Sequence, residues 1–241
     1  MKLSLSPSLC PKLRLGAFLA LAKEAGFAAV ELCRTESESS PVHPETSVRM
    51  VRDQFKATGL RLSGFNIRPL TGRKADSDER NLGYNLRQLE WDIHLGRALG
   101  LKSANLRGGA RTGEARSDLR SGVQQLLRRI PDINLNLGSA PGTALRELAD
   151  YQALIPCLDP RARVLLHTGA LEATGEDPLR VAQVFGRRIG VVHLHQVQGC
   201  EALLRHLRQV DYCGELVVAL APSAEPLAAA RQARADLERL L

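Results

Sequence analysis

One feature constrains this chain more than any other. A short apolar segment, a cluster of turn residues and a longer amphipathic stretch follow one another eight times over. The strand-type segments are LSLS (3–6), AAVELC (28–33), LRLSGFNI (60–67), KSANLR (102–107), DINLNL (132–137), RVLLH (163–167), GVVHLH (190–195) and ELVVAL (215–220). Helices are expected over Leu13–Ala25, Glu45–Thr58, Asp78–Leu99, Ser117–Arg129, Thr143–Ile155, Pro178–Phe185 and Cys200–Gln209, and in the terminal EPLAAARQARADLERLL. Strands separated by helices pair in parallel, because the helix carries the chain back to the same edge of the sheet. Eight such units in 241 residues predict closure into an α/β, (β/α)8 TIM barrel, one domain over residues 1–241. An open doubly wound sheet is the competing arrangement. It wants a phosphate-binding glycine fingerprint after its first strand, and SPSLCPKL carries none.

Composition narrows the class. With 44% hydrophobic residues and a single Trp, the chain can fill a large core with Leu, Val and Ala. The five cysteines are odd in number and far apart, without a CxxC pair, which points to reduced thiols in a cytoplasmic protein. LGAFLALA is too short to span a bilayer and reads as a helix stripe, so no membrane partner is expected. The formal charge of +7 is spread through helices with no run of five basic residues, so no nucleic-acid partner is expected either. His43, in a Pro-rich loop, reads as a solvent residue.

In a barrel the site lies at the C-terminal ends of the strands, and period-two alternation sorts each strand into a helix face and a lumen face. His193 and His195 share the lumen face of the seventh strand, opposite Val192 and Leu194. Asn134 and Asn136 oppose Ile133, Leu135 and Leu137 on the fifth strand, Asn105 and Arg107 oppose Ala104 and Leu106 on the fourth, and Glu31 and Cys33 oppose Val30 and Leu32 on the second. The sixth strand ends in His167. The third ends near Asn66 and Arg68, whose facing the pattern leaves open. Glu31, Arg107, Asn136, His167, His193 and His195 are therefore expected to converge on one end of the barrel. Buried polar groups are costly unless paired. A convergent set is tolerated where a ligand or water completes the hydrogen bonds.

The order of motifs resembles the xylose isomerase-like barrels, a superfamily of sugar isomerases and epimerases with a DNA-repair endonuclease branch. The resemblance rests on EAGFAAVEL, GLKSANLRGG, TGALEATGEDPLRVAQVFGRRIGVVHLH and VDYCGELVVAL, in that order along nearly the whole chain. It implies one divalent metal held by four side chains, of which only His193 is matched. The fifth-strand Glu falls on Asn136, the sixth-strand Asp on His167, the His three residues later on Ala170, and the eighth-strand Glu on Ala219. The usual Lys and Asp after the seventh-strand His become His195 and Gln196. The endonuclease branch is not expected, since the third and fourth strands lack its histidines.

Mg²⁺ and Mn²⁺ favour anionic oxygen ligands, so a family-type hard-metal site is not expected. A zinc-like site through His167 and His193, with His195 nearby, is the metal alternative, and otherwise no cofactor is called for. The expected function is acid/base proton transfer on a sugar or keto-sugar, phosphorylated forms included, by an isomerase or epimerase, with Arg107 holding an anionic group. Glu31, His193 and His195 are its candidate catalytic groups, and Arg68, Arg107 and Asn136 its candidate substrate-binding groups. The alternative is a non-catalytic relative that binds such a metabolite or serves as a partner subunit. The oligomeric state stays open, a dimer included.

Overall fold

A computed structural model describes residues 1–42, 46–71 and 82–241. Eight parallel strands close in sequential order into a barrel: β1 (Lys2–Leu5), β2 (Ala29–Cys33), β3 (Arg61–Asn66), β4 (Ser103–Arg107), β5 (Asn134–Gly138), β6 (Ala162–His167), β7 (Ile189–Leu194) and β8 (Glu215–Val218). The ring is sealed where β1 pairs with β8 from Lys2↔Glu215 to Leu5↔Val218. Closure leaves no unpaired sheet edge, which rules out the open-sheet alternative.

The helices around it are α1 (Leu15–Glu24), α2 (Val48–Thr58), α3 (Leu82–Ala98), α4 (Ala115–Arg129), α5 (Leu148–Leu154), α6 (Thr168–Glu172), α7 (Pro178–Phe185), α8 (Glu201–Gln209) and α9 (Pro226–Leu240). Among the described residues, no helix is long and apolar enough to cross a membrane. His43 and the expected first turn of the third helix at Asp78 lie outside the described residues. The helix expected over Thr143–Ile155 is shorter than its apolar pattern. Its first residues form a turn, in which the Thr143 hydroxyl bonds the carbonyls of Ala140 and Leu145, and a Glu147/Asp150 capping box starts α5. The short α6 was not expected. It follows β6 directly because His167 caps it, Nδ1 accepting from the Ala170 N–H at 3.2 Å.

Alternation sorts the side chains as the pattern requires. Val30, Leu32, Ala104, Leu106, Leu135, Leu137, Val192 and Leu194 point outward into the shared helix–sheet core. Leu165, Val191 and Val217 form a separate buried cluster in the lumen. The polar side chains stand beside this small apolar plug.

The loops after β3, β4 and β5 are stitched into one wall of the mouth. Leu70 bridges Gly108, and Ala110 bridges Thr143. Gly109 makes the close approach possible, since a Cβ there would lie 2.6 Å from Thr71 Cα.

Candidate functional site

Glu31 and His193 stand on opposite sides of the lumen and are closed from solvent, their side chains 1% and 2% exposed. Glu31 Oε2 lies 3.1 Å from His193 Nε2, within ion-pair reach. His193 Nε2, Glu31 Oε1 and Asn136 Oδ1 are buried polar atoms with no hydrogen-bond partner among the described residues. Burial pushes the Glu31 carboxyl pKa up. The neighbouring His193, with help from Ser6 and Asn66, pulls it down, and the net direction is down, so Glu31 is a carboxylate at neutral pH.

A ladder of amides runs from this pair across the lumen. Asn105 Nδ2 donates to Asn66 Oδ1 at 3.0 Å and reaches Glu31 Oε2 at 3.4 Å, while Asn136 Nδ2 donates to Asn105 Oδ1 at 2.9 Å. The ladder exists because Asn66, Asn105 and Asn136 stand directly opposite one another on β3, β4 and β5. Asn136, level with Asn105 in register, turns towards the start of β7. Its Oδ1 rests against Gly190, where a Cβ would approach it to 1.9 Å.

His167 and His193 are opposed on β6 and β7, with ring centroids 5.5 Å apart. Burial is the main reason the His167 pKa falls from 6.5 to about 3, and the charges of His193 and Arg107 add to it. His167 is thus neutral. Nδ1 takes the Ala170 N–H, so the ring's own proton is on Nε2.

His195 is placed differently from expectation. β7 ends at Leu194, and His195 lies exposed on the following loop, its backbone N–H held by the Thr168 hydroxyl at 3.0 Å. Its side chain packs over Gly169, where a Cβ would meet His195 Cγ at 2.5 Å. The imidazole is therefore a rim group outside the strand that carries His193.

Arg68, expected to meet substrate, is diverted. It clamps Asp92 of α3 through Nε at 2.8 Å and a terminal nitrogen at 3.0 Å, and Arg34 Nε reaches the same carboxylate at 3.1 Å. Asp92 is fully buried. Arg107 extends over the mouth from the end of β4 and bonds Glu36 at 2.8 Å. Pattern reading from strands alone missed Asp92 and Glu36, since neither lies on a strand. Asn66 was in view, but its facing was not; a register shift between β2 and β3 decides it.

Beside the amide ladder opens a pocket of about 380 Å³, lined by Thr35, Glu36, Asn66, Asn105, Arg107 and the loops after β3–β5. A second, of about 340 Å³, lies at the rim between α7 and α8 and holds Glu172, Asp177 and Gln196 but none of the lumen pair. The first is the pocket joined to the buried groups, through Asn105.

The family's model spans residues 19–240 and describes a xylose isomerase-like TIM barrel. The chain belongs to the xylose isomerase-like TIM barrel family. Its fold is shared with an L-ribulose 3-epimerase structure, 17% identical with a TM-score of 0.82, covering 100% of this chain and 95% of that one. A D-allulose 3-epimerase from a Methylomonas species, solved with D-allulose, is 15% identical with a TM-score of 0.81, covering 100% and 97%. The chain also matches a xylose isomerase-like TIM barrel/4-hydroxyphenylpyruvate dioxygenase fusion protein at 17% identity and a TM-score of 0.78, and spans 42% of that longer chain. At these identities the likeness establishes the fold alone. No curated protein matches the sequence.

A hard dication of the kind this family's fold implies does not suit the donor set. Of the positions the resemblance designates, Asn136 offers a neutral amide oxygen, His167 and His193 offer imidazoles, and Ala219 has no donor, so none is anionic. Glu31 supplies one carboxylate, already facing His193. Among the described residues, no three His, Cys, Asp or Glu side chains converge on a point that could hold a metal ion.

Proposed function

We propose that the barrel mouth binds a small polyhydroxylated carbonyl compound of the sugar class and moves a proton on it by acid/base chemistry, an isomerase- or epimerase-type reaction that uses no hard metal ion. The observation that carries this reading is the buried Glu31–His193 pair. Its Oε1 and Nε2 have no hydrogen-bond partner among the described residues, and it lies one amide behind a pocket of suitable size. Enolisation needs a base near the carbon that loses the proton and a donor facing the oxygen that gains charge. A ligand that displaces the Asn105 amide from Oε2 reaches the Glu31 carboxylate. His193 Nε2 is the adjacent nitrogen able to exchange a proton with it. Asn66 and Asn105 offer amides to hydroxyl groups, Asn136 orients Asn105, and His167 and His195 border the mouth. The reading is built on the Glu31–His193 pair and assigns no zinc to His167 and His193, whose rings stand 5.5 Å apart between centroids.

A second reading, binding without conversion, is favoured by the depth of the pair, since Glu31 is 0% and His193 1% exposed. A thermal-shift panel of ketopentoses and ketohexoses, followed by chromatography of each stabilising sugar, tests both. Stabilisation with a new epimer supports the proposal, and stabilisation with every sugar recovered unchanged supports the second reading. The absence of any shift across the panel, with ketose phosphates and sugar acids included, removes both.

A further inference from the structure

Three sets of arginines reach the C-terminal face of the barrel, and they differ in what holds them. Arg34 and Arg68 are locked on fully buried Asp92. Arg111 and Arg116 each bond an oxygen of buried Asp150 at 2.6 Å. Charges buried with a partner are held firmly, because releasing either one strands the other in a poor solvent. Arg107 is different. Its partner Glu36 is 56% exposed, on the loop after β2, and contacts one terminal nitrogen only. Exposed pairs of this kind are worth about 0–1 kcal/mol. A guanidinium carries five N–H donors in a planar fork suited to a two-oxygen anion. Both residues line the 380 Å³ pocket, beside the Asn66 and Asn105 amides.

We infer that Glu36 is an internal stand-in for the anionic group of the ligand: an oxyanion on a polyhydroxylated molecule, carboxylate or phosphate, displaces Glu36 and takes the Arg107 fork bidentately. The inference rests on the proposed sugar-class reading of this site and adds to it the charge of the substrate and the residue that selects for it. With Glu36 in place the mouth carries a paired charge and disfavours a second anion. With Glu36 displaced, Arg107 gains a second hydrogen bond and the Glu36 carboxylate returns to water at little cost. Neutral sugars engage only the amides and gain nothing from Arg107. No bond is made or broken in this exchange.

The test is calorimetric titration of the whole chain with matched pairs: D-fructose 6-phosphate against D-fructose, and D-glucuronate against D-glucose. The phosphate and carboxylate arms separate the two sources of the oxyanion. Wild type is expected to bind at least one anionic member about tenfold or more tighter than its neutral partner, the equivalent of one charge-assisted hydrogen bond. Glu36→Gln removes the competing charge and is expected to tighten the anionic ligand by up to about fivefold while leaving the neutral one unchanged. Arg107→Gln is expected to erase the preference. Both side chains are partly exposed, so folding survives, and Arg107→Lys, which keeps the charge but not the fork, is expected to recover only part of the preference. Equal binding of the neutral and anionic members, or a preference that persists in Arg107→Gln, overturns the inference and leaves the sugar-class reading standing. No binding by any of the four overturns both.

Discussion

Replacing His167 with Asn separates the electrostatic contribution of this residue from its structural one. Asn keeps an acceptor at the start of α6, so the Ala170 N–H stays capped. The imidazole, by contrast, titrates. Burial first, then the charges of His193 and Arg107, lowers its folded pKa to about 3 from 6.5. In the unfolded chain the same ring takes up a proton near pH 6.5. Because the folded value is the lower one, the stability it confers is complete above about pH 6.5 and drains away as the pH falls towards 3. The drain proceeds at about 1.4 kcal/mol per pH unit, which amounts to about 2 kcal/mol by pH 5 and about 5 kcal/mol over the full window. Urea unfolding at fixed ionic strength, from pH 8 to pH 5, measures it. His167→Asn is expected to be the less stable protein at pH 8, from lost packing, and to gain about 2 kcal/mol on wild type by pH 5. Glu31, whose folded pKa is also lowered, loses its contribution at lower pH in both proteins and cancels in the difference. A difference between the two proteins that does not change with pH would refute the assignment of His167 as a half-buried neutral imidazole.

Two further substitutions probe the frame of the site. Gly190→Ala places a methyl group where Asn136 Oδ1 now sits, 1.9 Å away, and is expected to cost about 1–3 kcal/mol in chemical denaturation. Adding Asn136→Ala should cost less than the sum of the single changes, and strict additivity would contradict the contact. Asp92→Asn removes the shared carboxylate of Arg34 and Arg68 and is expected to lower stability by about 3 kcal/mol; a change under about 1 kcal/mol would show that the clamp is not what holds those arginines.

The fold was legible because its signal is repeated: each of eight strand–helix units carries the same alternation, and closure is the way that number of parallel strands buries both faces. The inward facing of Glu31, Asn105, Arg107, Asn136, His167 and His193 followed from period two along single strands. Side-chain direction within the lumen did not follow, and Asn136, level with Asn105 in register, turns against Gly190 near the start of β7 instead of into the pocket. The bond between Arg68 and Asp92 is not legible in the sequence, because Asp92 comes from a helix whose rotation against the sheet is a tertiary property. His195 continues the apolar alternation by one residue after the backbone has left the sheet, and no local pattern marks that end. Glu36 carried no signal at all, being a loop carboxylate that matters through what it touches.

The central claim is that Glu31 and His193 exchange a proton with a bound carbonyl compound. Incubation of the protein in D₂O with a ketose that stabilises it, followed by NMR of the recovered sugar, reads that exchange at the carbon beside the carbonyl. Deuterium is expected to enter with wild type, and at a rate about 10²–10⁴-fold lower with Glu31→Gln or His193→Gln, each compared at saturating ketose. A bound ketose that acquires no deuterium, or one that acquires it equally fast with both residues replaced, would contradict the claim.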